Sequence, residues 1–196
     1  MTHYYSPKQT SDLNLEKIRI RILGEQIEVY TGSGVFSRKR LDKGTELLLK
    51  GMQITDGEDI LDFGCGIGIV GLWVKMNYPS TNITLTDVNE RAVKLALMNL
   101  KLYKLEGKVK ATDGLKKVKQ NFDTILLNPP QVAGKKTCFR LIEESCEHLK
   151  PKGSLQIVAR HNKGGKSYSE HMKKTFGNVT DLKKGSGYRV YMSKKS

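Results

Sequence analysis

The ordered pattern begins with strict alternation. In Lys17–Tyr30, Ile18, Ile20 and Ile22 alternate with Arg19 and Arg21, Gly24-Glu25 interrupts, and Ile27 and Val29 resume the period. A period of two broken by a glycine predicts a β-hairpin. Residues 1–14 are polar and read as a loosely held lead-in. Thr31–Arg40 (TGSGVFSRKR) is glycine-rich and then basic, and reads as a loop. Leu41–Lys50, with Leu47, Leu48 and Leu49, reads as a short helix, and Gly51–Gly57 as a connector.

From Glu58 the period itself alternates. Strands are expected over Asp59–Phe63, Asn82–Thr86, Lys108–Ala111, Phe122–Leu127, Ser154–Ala159, Asn178–Leu182 and Tyr188–Ser193. Between them, helices are expected over Ile69–Met76, Glu90–Tyr103, Lys136–Leu149 and Gly165–Phe176. Strands separated by helical stretches imply an α/β fold, a mostly parallel sheet covered on both faces. Only Lys183–Gly187 separates the last two strands, so these must be antiparallel neighbours. The 196 residues suit one compact domain. Residues 1–57 are expected to form an N-terminal extension packed on a core of 58–196.

The strand at Asp59–Phe63 runs through Asp62-Phe63-Gly64-Cys65-Gly66-Ile67-Gly68 into a helix. Glycines at such a junction let the backbone turn tightly and approach a ligand. Gly66-Ile67-Gly68-Ile69-Val70-Gly71 matches the dinucleotide pattern, and Asp87 follows about twenty residues on. The frame fits poorly, because an acid at the strand tip repels a pyrophosphate and suits a cationic ligand instead. Asp87, ending the second strand, can accept two ribose hydroxyls or cap the next helix. Asp113-Gly114 after the third strand is also an ordinary turn pair.

Asn128-Pro129-Pro130 follows the fourth strand. The prolines fix the backbone and remove two donors, leaving a cluster of acceptors. A conjugated exocyclic amine or an amide nitrogen is a poor nucleophile. Acceptors gripping its N–H bonds aim the lone pair at an electrophile, with no strong base required. The bland alternative is that Asn-Pro merely starts a turn.

The D-x-G-x-G-x-G stretch resembles the S-adenosylmethionine loop of class I methyltransferases, and NPP resembles the (D/N)PP tripeptide of amino-directed members. Thr31–Leu49, Leu61–Gly68, Leu126–Lys135 and Gly164–Val179 are similar to the small MTS methyltransferase domain. That family includes bacterial small-subunit ribosomal RNA guanine-N2 methyltransferases, which carry an additional N-terminal domain, and single-domain archaeal relatives of unassigned substrate, whose form this chain resembles. The resemblance runs from about Ile18 to Lys194. It implies a Rossmann-like class I methyltransferase fold with a seven-stranded sheet, its last strand antiparallel, plus the hairpin. It implies S-adenosyl-L-methionine as cofactor, with contacts at Asp62, Phe63, Gly64, Cys65, Gly66, Gly68, Asp87, Val88, Asp113, Gly114 and Asn128. Catalysis falls to Asn128, Pro129 and Pro130, with Gly34, Val35, Phe36 and Ser37 lining the entrance. Base and amide methylators usually carry an aromatic after the tripeptide, and here it is Gln131. Stacking on the target must come from elsewhere, with Phe36 and Phe139 as candidates.

Charge sharpens the partner. The chain carries 34 Lys and Arg against 20 Asp and Glu, a net charge of +14. Residues 1–60 are neutral, whereas residues 131–196 carry 15 basic and 5 acidic side chains. Arg38 and Lys39 follow the entrance loop, Lys135 and Lys136 the catalytic loop, and His161 and Lys163 the fifth strand. With Gln131 these are the candidate substrate contacts, on the sheet edge where α/β sites form. The expected partner is RNA, most simply ribosomal. Transfer RNA or a protein glutamine are alternative acceptors, and a non-catalytic RNA-binding protein is the non-enzymatic one. Three cysteines without paired spacing argue against a disulfide framework and a zinc site. No metal is expected, nor a signal peptide or membrane span. The expected form is a cytoplasmic monomer.

Overall fold

The computed structural model describes residues 6–9, 12–36 and 41–196. Strands β1 (Glu16–Ile22) and β2 (Glu25–Thr31) pair antiparallel, with Ile20 opposite Ile27. Leu23 and Gly24 both have positive φ, as a two-residue hairpin turn requires. Alternation sends Ile20, Ile22, Ile27 and Val29 to the buried face.

The main sheet comprises β3 (Asp59–Phe63), β4 (Asn82–Asp87), β5 (Lys108–Ala111), β6 (Phe122–Leu127), β7 (Leu149–Arg160), β8 (Thr180–Gly185) and β9 (Tyr188–Lys194). Their order is β5-β4-β3-β6-β7-β9-β8. β3 to β7 are mutually parallel, and β9 runs antiparallel to β7 and β8. The expected α/β architecture, with seven strands and an antiparallel final strand, is therefore present. The helices are α1 (Lys43–Gly51), α2 (Ile69–Asn77), α3 (Glu90–Leu102), α4 (Lys135–Glu147) and α5 (Lys166–Phe176).

Strand parity sorts the core into two layers. Ile60, Leu126 and Val158 pack with α1, α2, α3 and the hairpin. Leu61, Phe63, Ile125, Leu127, Leu155 and Ile157 pack with α4 and α5 on the other face. Asp62 shares the parity of Ile60, so its carboxyl lies on the α2 side. Asn99, fully buried on α3, ties the hairpin to this layer. Its amide accepts from Tyr30 N–H (2.6 Å) and donates to Tyr30 O (3.0 Å) and Ile67 O (2.9 Å).

Several element boundaries differ from the sequence reading; β8, for one, runs over Thr180–Gly185 rather than Asn178–Leu182, leaving only Ser186 and Gly187 before β9. Helix α4 ends at Glu147, and β7 starts at Leu149 rather than Ser154. The strand accommodates Pro151 and Gly153 through a register shift against β6. Lys150 anchors it by bridging Asp59 and Asp123 at 2.7 Å each. The fifth helix starts at Lys166. His161–Gly165 forms a kinked π-type turn in which Lys163 and Gly164 leave helical backbone angles. No described helix is long and apolar enough to cross a membrane.

Candidate active site

The strand order reverses at β3: β4 and β5 build outward on one side, and β6 returns to the other. In open α/β sheets a crevice forms at that reversal, beyond the strand carboxyl ends. A cavity of about 510 Å³ lies there. Phe63 pairs with Leu127 in register, so the glycine loop and Asn128-Pro129-Pro130 leave the sheet side by side.

Gly64 and Gly66 have φ of +72° and +55°, and a Cβ on either meets no atom within 4 Å. Open space above two left-handed residues is a cradle for a ligand rather than a packing constraint. Gly68 differs, because its Cβ would stand 2.9 Å from Ala96 Cβ. It brings α2 against α3 and stands outside the cavity lining. Phe63 also stands outside it, its side chain in the opposite core layer. Cys65 and Val88 do line the cavity.

Two carboxyls flank the cradle. Asp62 is 4% exposed, and its Oδ2 accepts the Gly71 N–H at 2.9 Å. Burial pushes its carboxyl up to about 7; the Gly71 N–H opposes the shift and the Asp87 charge adds to it. Asp87 accepts Gly66 N–H and Asn89 N–H, both at 2.8 Å. These amides oppose the rise that burial imposes on its carboxyl. Asp87 does not cap α3. Asn89 does, accepting from Arg91 N–H at 3.0 Å. The Asn89 amide also donates to Gly34 O (2.8 Å), which ties the Gly34 loop to the Asp87 side of the cavity.

Asp113 and Gly114 form the far wall. The Asp113 carboxylate is largely exposed and pairs with Arg140 at 2.6 Å. Gly114 allows the buried Glu144 to close in, since a Cβ there would collide with its carboxylate. Glu144 in turn accepts Leu115 N–H at 2.7 Å.

On the opposite side, the Asn128 amide nitrogen donates to Asp42 Oδ2 (3.1 Å) and Thr45 Oγ1 (3.0 Å). A carboxylate only accepts, so this pairing fixes which way the amide points. Among the described residues nothing donates to Asn128 Oδ1, and Asn128 lines the cavity with Pro129 and Pro130. Asp42 is the N-cap of α1, accepting Thr45 N–H at 3.0 Å. Tyr188 of β9 lines the same wall, and Arg160 donates to its hydroxyl at 2.9 Å.

The substrate candidates separate. Phe36 lines the cavity and is 39% exposed. Ser37, Arg38 and Lys39 lie outside the described residues. Gln131 opens a 3₁₀ turn at the cavity rim, followed by Val132, a strongly exposed apolar residue. Phe139 is not available for stacking in the cavity. Its position on α4 faces α5, where it stacks on His171 at 4.1 Å and meets Tyr168 edge-on. Lys135 and Lys136 are exposed on the first turn of α4. His161 and Lys163 stand outside the cavity. His161 pairs with the Tyr191 hydroxyl at 2.7 Å. Partial burial holds its imidazole below the ordinary value, and the cations Arg189, Lys166 and Lys184 add to that effect.

The sequence reading missed Asp42, Thr45, Arg140 and Tyr188 as parts of the site. Asp42-x-x-Thr45 carries a helix-capping signal, but nothing local links a cap to a loop 86 residues away.

The methyltransferase small domain family matches residues 26–192. The uncharacterized protein YbxB of Bacillus subtilis is 36% identical over 98% of both chains. The ribosomal RNA small subunit methyltransferase C of Pseudomonas aeruginosa is 35% identical over 87% of this chain and 52% of its own length. The chain thus spans about half the length of such relatives. Among solved structures, the Thermus thermophilus 16S rRNA N2 G1207 methyltransferase, in complex with AdoMet and guanosine, superposes with a TM-score of 0.84. It is 22% identical and covers 96% of this chain and 52% of its own. A Pyrococcus furiosus methyltransferase gives 0.68 at 24% identity, covering 76% of this chain and 80% of its own. At these identities the two structures establish the fold. The family match and the full-length likeness to the Bacillus protein together make the chain a member of the methyltransferase small domain family.

Proposed function

We propose that the chain is an S-adenosylmethionine-dependent N-methyltransferase acting on the exocyclic N2 amine of guanine in small-subunit ribosomal RNA. The observation that carries the reading is the Asn128 amide, held by Asp42 and Thr45 so that its oxygen is left to accept beside an open glycine cradle. The cradle also fits the cofactor chemically: Asp62 can face a cationic amino group, and Asp87, oriented by two amides, can accept ribose hydroxyls. The names of the ribosomal RNA relatives, of whose length this chain spans about half, support the substrate class.

The cofactor, when bound, supplies an electrophilic methyl group. The chain's own residues prepare the nucleophile. Asn128 Oδ1 and a backbone carbonyl of the Pro129-Pro130 segment accept the two amine hydrogens, drawing the nitrogen lone pair out of conjugation. Neither proline presents an N–H that competes for those acceptors. Phe36 and the exposed Val132 offer apolar surface at the rim for a base face. Lys135, Lys136, Arg140 and Arg160, with Lys163 and Lys166 of the adjoining turn and helix, provide cations for the RNA backbone. In this reading residues 58–196 form the cofactor core, and residues 1–57 an extension supplying the opposing wall, within one compact cytoplasmic domain.

The test is transfer of radiolabelled methyl groups to ribosomal RNA from cells lacking the gene, followed by mapping of the labelled nucleoside. N2-methylguanosine is expected. Asn128→Ala is expected to abolish transfer while calorimetric cofactor binding persists. Full activity of that variant, or a different labelled nucleoside, overturns the assignment.

A further inference from the structure

We infer that Asp42 selects guanine over the other amine-bearing bases by accepting the ring N1–H beside the reacting amine, an inference that rests on the guanine-N2 reading above. The carboxylate of Asp42 lines the cavity next to Asn128. Its Oδ2 already serves the Asn128 amide and the Thr45 N–H. Its Oδ1 has no hydrogen-bond partner among the described residues. The wall that receives the amine therefore presents two neighbouring acceptors, Asn128 Oδ1 and Asp42 Oδ1.

Base chemistry discriminates at that wall. Guanine carries two donors side by side, the N2 amine and N1–H. Adenine pairs its N6 amine with a bare N1, and cytosine its N4 amine with a bare N3. Either one sets a lone pair against a carboxylate that can only accept. The cost is an unmatched polar group in a partly buried site together with charge–dipole repulsion. Sites built to hydrogen-bond one partner reject an analogue lacking it far more strongly than apolar pockets reject a missing methylene. The same carboxylate orients the catalytic amide, so recognition of the ring and grip on the amine share one side chain.

The experiment uses a short RNA containing the mapped target nucleotide, with guanosine or 2,6-diaminopurine at that position. The analogue keeps the 2-amine and replaces N1–H with a bare nitrogen. For the natural chain, kcat/KM is expected to favour guanosine by on the order of 100-fold or more. Asp42→Asn retains a helix-capping residue and can turn an N–H toward the bare N1. Its preference is expected to shrink at least about tenfold, beyond any common loss of rate. Thr45→Val removes only the other support of Asn128, so it should slow both substrates alike and keep the preference. An inosine RNA, with N1–H but no amine, should compete for binding to the natural chain and do so less well with Asp42→Asn. If Asp42→Asn slows both bases by the same factor and leaves inosine binding intact, Asp42 only positions Asn128 and the inference falls. If the natural chain methylates neither RNA, the guanine reading itself falls. If it methylates both equally, only the inference does.

Discussion

Acidification is expected to weaken cofactor binding through Asp62. Burial holds this carboxyl at about 7 in the ligand-free protein, with the Gly71 N–H opposing and the Asp87 charge adding to the rise. A cationic amino group set against it favours the charged form. Below about pH 7, binding then requires a proton to leave, and affinity falls tenfold per pH unit. Between about pH 7, where the group is half-protonated, and pH 5, Kd should rise about 50-fold, or about 2.3 kcal/mol. Above about pH 8 the ligand's own α-amine begins to lose its proton, so the informative window lies below that. Titration calorimetry in buffers of differing ionisation enthalpy measures both Kd and proton release. Roughly one proton should leave per bound cofactor near pH 5.5, and close to none near pH 8. Asp62→Asn keeps an acceptor for the Gly71 N–H, and should bind weakly with the slope gone. A flat Kd from about pH 5 to 7.5, or a slope surviving in the variant, refutes the pairing of Asp62 with the amino group. The folding linkage has the opposite sign. A carboxyl raised from 3.8 to about 7 favours the fold fully below the lower value. That contribution, about 4 kcal/mol, is lost as pH rises through about 7. Cofactor should therefore stabilise the fold most at neutral and higher pH.

Three further outcomes are expected. Asn99→Ala removes a fully buried amide and its three hydrogen bonds, two to the half-buried Tyr30 backbone and one to Ile67 O, and should cost roughly 3–5 kcal/mol in denaturant unfolding; a loss below about 1 kcal/mol argues against the hairpin tether. Gly66→Ala meets open space but forces an alanine to φ +55°. It should cost about 1–2 kcal/mol of stability and a larger share of cofactor affinity, whereas Gly68→Ala, which collides with Ala96, should damage folding more than Gly66→Ala does. Raising salt from about 50 to 200 mM should cut methyl transfer to RNA at least tenfold while leaving cofactor affinity nearly unchanged; parallel responses contradict a phosphate-binding rim.

Local pattern went far in this chain because most of its elements are locally encoded. Alternation marks the hairpin, and β3, β5 and β6 start and stop where turn residues and periodicity place them. The pattern misled where long-range pairing overrode it. Pro151 and Gly153 read as breakers, yet β7 extends back to Leu149 because Lys150 and the β6 register hold it. His161–Gly164 reads as a connector before a helix starting at Gly165; instead His161–Gly165 forms a kinked turn and the helix starts at Lys166. Phe139 could be named as an aromatic near the Asn-Pro-Pro loop. Which face of α4 it occupies depends on the helix's rotation, and packing against α5 decides that.

By itself the sequence determined the α/β alternation, the glycine loop after β3, the acid ending β4 and the Asn-Pro-Pro after β6. These are short contiguous signals whose meaning depends on neighbours within one strand–turn–helix unit. Only the tertiary structure decided what faces what across the crevice. It set Asp42 and Thr45 against Asn128, paired Asp113 with Arg140, and separated the two glycines of the open cradle from the one that packs helices. The physical reason is that side-chain hydrogen bonds between segments tens of residues apart leave no periodic trace in sequence. They arise where the reversal of strand order draws two loops together, and there the α1 cap meets the Asn128 amide.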